Sequence, residues 1–139
     1  MNYKNIIYDD ETVLYENNIS GNECDLSYKG KKEKLNDEKL LDLFPFFTKK
    51  SEKIKSLNLS GNEFENPTLL SLMPLPNLEK LDLSNNKITD IKFLIKMDLS
   101  KLKELKLDGN KLSKNNIDAL AQIKNYDKIS VSVDNQTIS

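Results

Sequence analysis

The sequence predicts a right-handed α/β solenoid of about five repeats, in which a parallel sheet forms the concave side and short helices and turns form the convex side. Two observations predict this fold class. A nine-residue frame, [LI]-x-x-L-x-L-x-x-N, occupies residues 54–62, 78–86 and 102–110, so its copies recur every 24 residues. Two positions after the asparagine of each copy comes an apolar residue: Phe64, Ile88 and Leu112. Repeats with this frame and a period in the twenties stack on one another and bury a continuous core.

Each frame predicts one short strand. Side chains alternate along a strand, so the two leucines of L-x-L point the same way and enter the core, whereas their neighbours point outward. In the central copy these leucines are Leu81 and Leu83. Stacked copies then pair their strands in parallel, and the paired strands form the concave face.

The asparagine that ends each frame lies where the chain turns away from the sheet. Its amide can donate to and accept from backbone groups of adjacent turns, which would otherwise lie unpaired in the interior. The frame therefore predicts a structural ladder of three side chains: Asn62, Asn86 and Asn110. We assign these residues to the fold and not to a functional site.

The composition argues against several classes of function. The chain of 139 residues has a net charge of −1 and no histidine, so it lacks a global attraction to nucleic acid, the usual general base and the commonest metal ligand. All 21 basic residues are lysine, which cannot make the bidentate contacts that arginine makes with phosphate or guanine. Cys24 is the single cysteine, so neither a disulfide nor a thiolate metal site is expected. We expect a protein that is not an enzyme and that carries no metal or cofactor.

The hydropathy pattern indicates in which part of the cell the protein is expected. No apolar run reaches the length of a membrane span, and the first residues, MNYKNIIYDDE, lack the apolar run of a signal peptide. Charged residues make up 31% of the chain, which suits the large surface of a thin solenoid. We expect a protein of the cytoplasm or the nucleus that is not secreted and does not bind a membrane.

The first part of the chain departs from the regular repeat. Residues 1–22 carry no frame and are expected to form an N-terminal arm or a partial cap of a repeat domain at 23–139. Cys24-Asp25-Leu26 fits the L-x-L slots of a degenerate first repeat. The 33 residues that separate Cys24 from Leu57 exceed the period of 24 and indicate extra structure on the convex side.

That extra length favours a helix over residues 37–44, with Asn36 as its N-cap. Pro45 is expected to end this helix, because proline lacks the backbone N–H that a helix interior needs. Phe46 and Phe47 are expected to enter the core behind the sheet.

The later convex segments are shorter. Residues 67–73 predict a short turn or helix that Pro74 and Pro76 close, and residues 91–97 predict a short helical return. Residues 115–123 predict a further helix.

The last strand is predicted at residues 129–133. Ile129 lies 24 residues after Leu105, so the regular period places Ile129 in a leucine slot and Asp134 in the asparagine slot of a fifth repeat. An alternating, β-branched strand at an open sheet edge tends to pair with other chains. We expect the tail, a partner or a following domain to cover it.

The outward positions beside L-x-L predict a partner-binding surface, because solenoids bind partners on extended concave faces. These side chains are small, polar and mixed in sign, whereas interface hot spots favour Trp, Tyr and Arg. The alternative is therefore a solvated sheet face whose charges, such as Lys80, Glu104 and Lys128, pair with one another. The candidate residues for a protein partner are Asp25, Ser56, Asn58, Lys80, Asp82, Glu104, Lys106 and Lys128.

Two lysine clusters in the first repeat suggest a second kind of site. Their lysines could bind phosphate groups with salt-sensitive, sequence-independent affinity. The candidates for RNA or phosphate are Lys31, Lys32, Lys49 and Lys50. The alternative is an ordinary solvated surface beside Asp37, Glu38 and Glu52. Carboxylate pairs elsewhere lack a nearby histidine, cysteine or glycine-rich loop, so catalysis and metal binding are disfavoured.

Over residues 23–138 the frame resembles that of the leucine-rich repeat proteins. The stretches 55–62, 78–86 and 102–110, with the long helical insertion before them, resemble the repeat domain of the TAP-type nuclear RNA export factors. In that family the repeat domain works beside an RNA-binding domain, and the complete receptor adds NTF2-like and UBA domains. This chain shows none of these, so a complete export receptor is not expected, and a fragment or a reduced homologue stays open. The acidic nuclear phosphoproteins, the spliceosomal A-prime protein and the phosphatase-regulating repeat subunit share the repeat but not obviously the insertion.

The residues and the resemblance together predict a non-enzymatic adaptor that binds a protein partner through its concave face. The alternatives are an RNA- or ribonucleoprotein-associated module of the nuclear mRNA export-factor kind and a regulatory repeat subunit of a nuclear complex. No small-molecule substrate is expected.

Overall fold

The computed structural model describes residues 18–30 and 33–137, which form a stack of short strands closed on the convex side by helices and turns. The strands are β1 (Ile19–Ser20), β2 (Glu23–Asp25), β3 (Ser56–Asn58), β4 (Lys80–Asp82), β5 (Glu104–Lys106) and β6 (Ser130–Ser132). The helices are α1 (Leu40–Lys50), α2 (Lys92–Lys96) and α3 (Lys114–Ala119), with 3-10 helices at Thr68–Leu72, Leu120–Gln122 and Tyr126–Lys128.

The six strands form one sheet whose order follows the chain. From β2 to β6 every pair is parallel, and Leu57, Leu81 and Leu105 lie side by side at the centre of the register. These leucines are at most 1% exposed, and the core behind them contains Phe64 and Phe93. The predicted α/β solenoid with a parallel sheet and short convex helices is confirmed.

β1 lies at the outer edge of β2 and runs antiparallel to it, with Ile19 opposite Cys24. The tight turn between them passes through Gly21, whose φ of +64° is costly for other residues. β1 belongs to the stretch predicted as an arm or partial cap, of which residues 1–17 lie outside the described part of the chain. The division of the chain at residue 22 stays a prediction.

The asparagine amides join each repeat to the one before it. Asn86 Oδ1 accepts the N–H of Phe64 at 3.1 Å, while its Nδ2 donates to Leu59 O at 3.1 Å and Leu83 O at 3.0 Å. Asn62 and Asn110 make the same set of contacts in their own repeats. All three are buried, so each rung satisfies backbone groups of two repeats that water cannot reach.

The helix of the first repeat is longer than predicted. α1 extends through Pro45 to Lys50, so the expectation that Pro45 ends the helix is wrong. The missing N–H leaves the carbonyl of Leu41 without a helical donor, but Leu41 is 64% exposed and Pro45 is exposed too. Since this side of α1 faces solvent, water can pair with that carbonyl, and the helix continues through the proline.

Of two further expectations for this segment, one is wrong and one is confirmed. α1 begins at Leu40 with Lys39 as its N-cap, so Asn36 is not the helix cap; its Oδ1 instead accepts the N–H of Lys39 at 3.1 Å in the turn before the helix. Phe46 and Phe47 are at most 2% exposed, and their rings lie 5.4 Å apart. The amphipathic α1 thus fills the extra length of the first repeat with core side chains.

The shorter convex segments agree with the sequence pattern. The first is the 3-10 helix Thr68–Leu72 and the second is α2. The third is α3, which begins after Ser113, whose side chain accepts the N–H of Asn116. It continues into a further 3-10 turn that ends before the buried Ile123.

The last repeat is two residues longer than the period predicts. β6 pairs with β5 so that Ser130 faces Glu104 and Val131 faces Leu105. The leucine slot therefore belongs to Val131 and not to Ile129, which corrects the predicted register. The extra residues are taken up by a tight turn at Asn125, with φ of +66°, and by the 3-10 helix that follows it.

The same shift corrects two residue assignments. Lys128 ends the 3-10 helix Tyr126–Lys128 and does not lie on the concave sheet. Gln136, not Asp134, takes the ladder position: its Oε1 accepts the N–H of Leu112 at 3.0 Å, and its Nε2 donates to Leu107 O at 2.8 Å. A glutamine side chain is one methylene longer than asparagine but carries the same amide, so it can form the last rung.

This register predicts which side chain protects the last turn. In a Gln136→Ala variant, hydrogen exchange of the Leu112 amide should accelerate by about tenfold, because its acceptor is lost and the turn opens more easily. Exchange of the Ile88 amide, whose N–H donates to Asn110 Oδ1, should stay unchanged. The measurement is amide exchange followed by NMR.

An Asp134→Ala variant is the matched control, because the Asp134 contacts to Asp108 and Gly109 use its backbone. If Asp134→Ala accelerates the Leu112 amide and Gln136→Ala does not, the 24-residue register is right and the structure's register is wrong.

Candidate functional site

The candidate site is the concave face, which we define by the outward side chains of β2 to β6. Its first column consists of Glu23, Ser56, Lys80, Glu104 and Ser130, and its second column consists of Asp25, Asn58, Asp82, Lys106 and Ser132. All of these side chains are partly or fully exposed. Seven of the eight predicted residues therefore lie on this face, and Lys128 does not.

Short hydrogen bonds hold the second column in place. Asp25 and Asp82 each accept the hydroxyl of the serine two residues on, at 2.6 Å, and Asn58 Oδ1 accepts the N–H of Ser60 at 3.0 Å. Such side-chain-to-backbone turns are typical of Asp and Asn followed by Ser. In β5 the second-column residue is Lys106, not Asp or Asn. Here Asp108, two residues on, accepts the hydroxyl of Ser132. These side chains are thus fixed before any partner arrives.

Asp25 is a carboxylate of this face whose pKa is clearly shifted. Partial burial opposes its ionisation, but the hydrogen bonds from Ser27 and Lys29 and the charge of Lys29 outweigh that effect, so its pKa is lowered. Lys29 Nζ lies 3.0 Å from its Oδ2. Asp25 is therefore negatively charged at neutral pH and is already paired.

A small charge cluster lies at the centre of the sheet. Glu104 is flanked by two lysines: Lys80 Nζ at 4.0 Å and Lys106 Nζ at 3.5 Å. The lysine side chains are 62% and 48% exposed, whereas that of Glu104 is 35% exposed. Ion pairs this exposed contribute only about 0–1 kcal/mol each, so an external charged group can replace a member of the cluster at little cost.

The described concave columns contain no aromatic side chain, but an aromatic residue lies beside them. Tyr28 is 39% exposed, and its N–H donates to Ser60 O at 3.0 Å, at the edge where the strands end. Its Cβ lies over Gly61, and Lys34 Nζ lies 5.1 Å from the centre of its ring. Lys34 and Tyr28 thus form a cation–π contact at the rim of the concave face.

Tyr28 is not among the residues that the repeat pattern predicted for the concave face. The strand register places it in the slot that Gly61, Asn85 and Gly109 occupy in the next three repeats, where φ is positive. With Cys24-Asp25-Leu26 in the L-x-L slots, a tyrosine stands in a slot otherwise held by small turn residues. That substitution is the signal that could have found it.

Of the four lysine candidates for phosphate binding, the structure describes Lys49 and Lys50. Lys49 and Lys50 lie in the last turn of α1, where positive charge favours the helix dipole. Lys29 pairs with Asp25, and Lys34 lies over the ring of Tyr28. Lys31 and Lys32 lie outside the described residues.

Cys24 belongs to the core and not to the site. It is 1% exposed, and burial raises the pKa of its thiol to about 12, with a smaller contribution from the charge of Asp25. Within residues 18–30 and 33–137, no group of three or more metal-ligating side chains comes together. In the same residues, no helix is both long and apolar enough to cross a membrane.

Comparison with known families identifies the class of protein. A model described as "Leucine Rich repeats (2 copies)" matches residues 76–125, and a model described as "Leucine Rich repeat" matches residues 50–73. Together the two matches span just over half of the chain, which therefore belongs to the leucine-rich repeat proteins. This confirms the family that the nine-residue frame indicated. Leucine-rich repeats are protein-interaction modules.

Two solved structures share the fold. The human 5T4 structure (Wnt-activated inhibitory factor 1, trophoblast glycoprotein) is 28% identical, with a TM-score of 0.55, and the match covers 70% of this chain but 34% of that one. A Chaetomium structure of Mex67:Mtr2 subunits is 23% identical, with a TM-score of 0.66, and the match covers 94% of this chain and 92% of that one. The second likeness shows the fold alone. No curated protein matches the sequence.

Proposed function

We propose that this chain is a non-enzymatic adaptor that binds a protein partner through its concave face. The observation that carries the proposal is the cluster of Lys80, Glu104 and Lys106 at the centre of a sheet on which hydrogen bonds hold the neighbouring Asp and Asn side chains. The Leu and Asn positions of each repeat are used by the core and the ladder, so the outward positions are the ones free to specify a partner.

Preorganisation favours binding on this face. The hydrogen bonds of Asp25, Asn58 and Asp82 hold their side chains in one conformation before binding. Association therefore loses less side-chain entropy here than it would on a mobile surface. A polar face of this kind binds by matched hydrogen bonds and charges, and not by a large apolar patch.

The charge cluster indicates the chemistry of the partner. An incoming carboxylate can pair with Lys80 or Lys106 in place of Glu104, while Asp82 and Glu104 can accept from basic or amide groups. We therefore propose a partner whose contact surface combines carboxylates with hydrogen-bond donors. Tyr28, at the rim of the same face, is the aromatic anchor that the columns themselves lack.

The charge of the two central lysines should control partner recovery. In pull-downs from native cell extract quantified by mass spectrometry, Lys80→Glu and Lys106→Glu should each reduce recovery of the specific partner by about tenfold, because an attraction becomes a repulsion at the centre of the interface. Lys92→Glu makes the same charge change on the exposed convex helix α2 and is the matched control.

Tyr28→Ala should also reduce recovery, whereas Leu72→Ala, which truncates a 66% exposed side chain on the convex side, should not. If Lys80→Glu and Lys106→Glu both recover every partner at the wild-type level, the concave face is not the binding site. Loss of partners by Lys92→Glu to the same extent would also contradict the proposal.

A second proposal is an RNA- or ribonucleoprotein-associated module of the nuclear export-factor kind. Its support is the motif resemblance together with the fold likeness to the Chaetomium Mex67:Mtr2 subunits over nearly the whole of both chains. The net charge of −1 weakens it, because the chain as a whole has no electrostatic attraction to backbone phosphates.

An anisotropy titration with labelled single-stranded RNA tests this proposal. At low salt the wild type should bind, and a Lys49→Glu/Lys50→Glu variant should bind about tenfold more weakly and with a shallower salt dependence. A Lys92→Glu/Lys96→Glu variant on α2 is the control for net charge. Absence of binding at low salt, or equal affinity of the two double variants, would reject RNA as a ligand.

A further inference from the structure

Glu104 lies between two ammonium groups at the centre of the concave face. Its Oε1 lies 3.5 Å from Lys106 Nζ and its Oε2 lies 4.0 Å from Lys80 Nζ, so each carboxylate oxygen faces a different lysine. Lys80 lies directly beside Glu104 on the neighbouring strand β4, and Lys106 follows two residues later on the same side of β5. The two lysines therefore form a seat for one carboxylate, and Glu104 occupies it.

Asp82 lies beside Lys106 in the strand register, yet it does not fill this seat. Its Oδ1 accepts the hydroxyl of Ser84 at 2.6 Å and the N–H of Ser84 at 3.0 Å. Among the described residues, the carboxylate within ion-pair distance of Lys106 is that of Glu104. Asp82 is therefore held by its own turn, and the occupancy of the seat depends on Glu104.

The exposure of the three side chains leaves the seat open to an outside carboxylate. Lys80 and Lys106 are 62% and 48% exposed, against 35% for Glu104, so a partner can reach both ammonium groups from solvent. Ion pairs this exposed are weak and can exchange. While Glu104 stays in place, however, its charge cancels part of the attraction that the two lysines exert on a second carboxylate.

We propose that Glu104 is a built-in competitor for an acidic partner: it occupies the seat between Lys80 and Lys106 and lowers the affinity of that seat for carboxylates from outside. This inference rests on the proposed function and gives opposite roles to members of one cluster, because the lysines attract the partner and Glu104 opposes it. A single carboxylate gains little over Glu104, whereas a partner that also pairs with other outward side chains gains enough to displace it. Glu104 thus favours the partner that makes several matched contacts.

Fluorescence anisotropy with a labelled oligoglutamate peptide at low salt tests the sign of the Glu104 contribution. Glu104→Gln keeps the size of the side chain and removes its charge, so this variant should bind the peptide about three- to tenfold more tightly than the wild type. Lys80→Glu should weaken binding both in the wild type and in the Glu104→Gln background. If Glu104 instead contacted the partner favourably or supported the sheet, its substitution would lower the affinity.

Glu63→Gln is the matched control for this experiment. Glu63 pairs with Lys87 at 3.3 Å outside the two concave columns, and its side chain is 43% exposed. The change alters the net charge as Glu104→Gln does and also releases a lysine, but it does so away from the seat. Its affinity for oligoglutamate should therefore stay within about twofold of the wild type. Circular dichroism checks that all variants fold.

The proposal is overturned if neither the wild type nor Glu104→Gln binds oligoglutamate at low salt, if Glu104→Gln binds no more tightly than the wild type, or if Glu63→Gln tightens binding as much. It is also overturned if Lys80→Glu leaves the affinity of the Glu104→Gln variant unchanged, because the peptide then binds elsewhere. Failure of the proposed function is a separate result: Lys80→Glu and Lys106→Glu would then leave recovery of the native partner unchanged, whatever Glu104→Gln does to the peptide.

Discussion

The buried side-chain amide at the end of each repeat is the interaction on which the rest of the structure depends. Strands of only two or three residues cannot by themselves pair all the backbone groups that the turns carry into the interior. An unpaired buried N–H or carbonyl costs about 1–3 kcal/mol, and each amide satisfies several of them. The ladder of Asn62, Asn86, Asn110 and Gln136 thereby sets how each repeat lies on the one before it.

The ladder fixes the point at which the chain leaves the sheet in every repeat. The convex segment that follows can therefore vary in length without disturbing the sheet. The first repeat contains α1 and the last contains an additional 3-10 turn, yet all five parallel strands keep one register. The outward side chains are not needed for the core or the ladder, since both use only the inward positions. The proposed partner recognition at the concave face uses positions that this division leaves available.

The sequence predicted the strands, the core and the concave residues because the frame repeats three times without change. It could not place the last strand, because a shift of two residues preserves the alternation of inward and outward side chains, so Ile129 and Val131 fit the pattern equally well. Gln136 was missed because the frame names asparagine although only the amide is needed. The continuation of α1 through Pro45 depends on which side of the helix meets solvent, which is not a property of local sequence. Tyr28 was missed although the strand alignment of the first repeat places it in the slot of Gly61.

The most direct test of the ladder is the free energy of unfolding of an Asn110→Ala variant, measured by urea denaturation. Asn110 is 0% exposed, and its amide contacts Ile88, Leu83 and Leu107. Its loss should lower the stability by about 3 kcal/mol, whereas Asn115→Ala, at an exposed position of α3, should change it by less than about 0.5 kcal/mol. If the two variants are equally stable, the buried amides do not hold the repeats together.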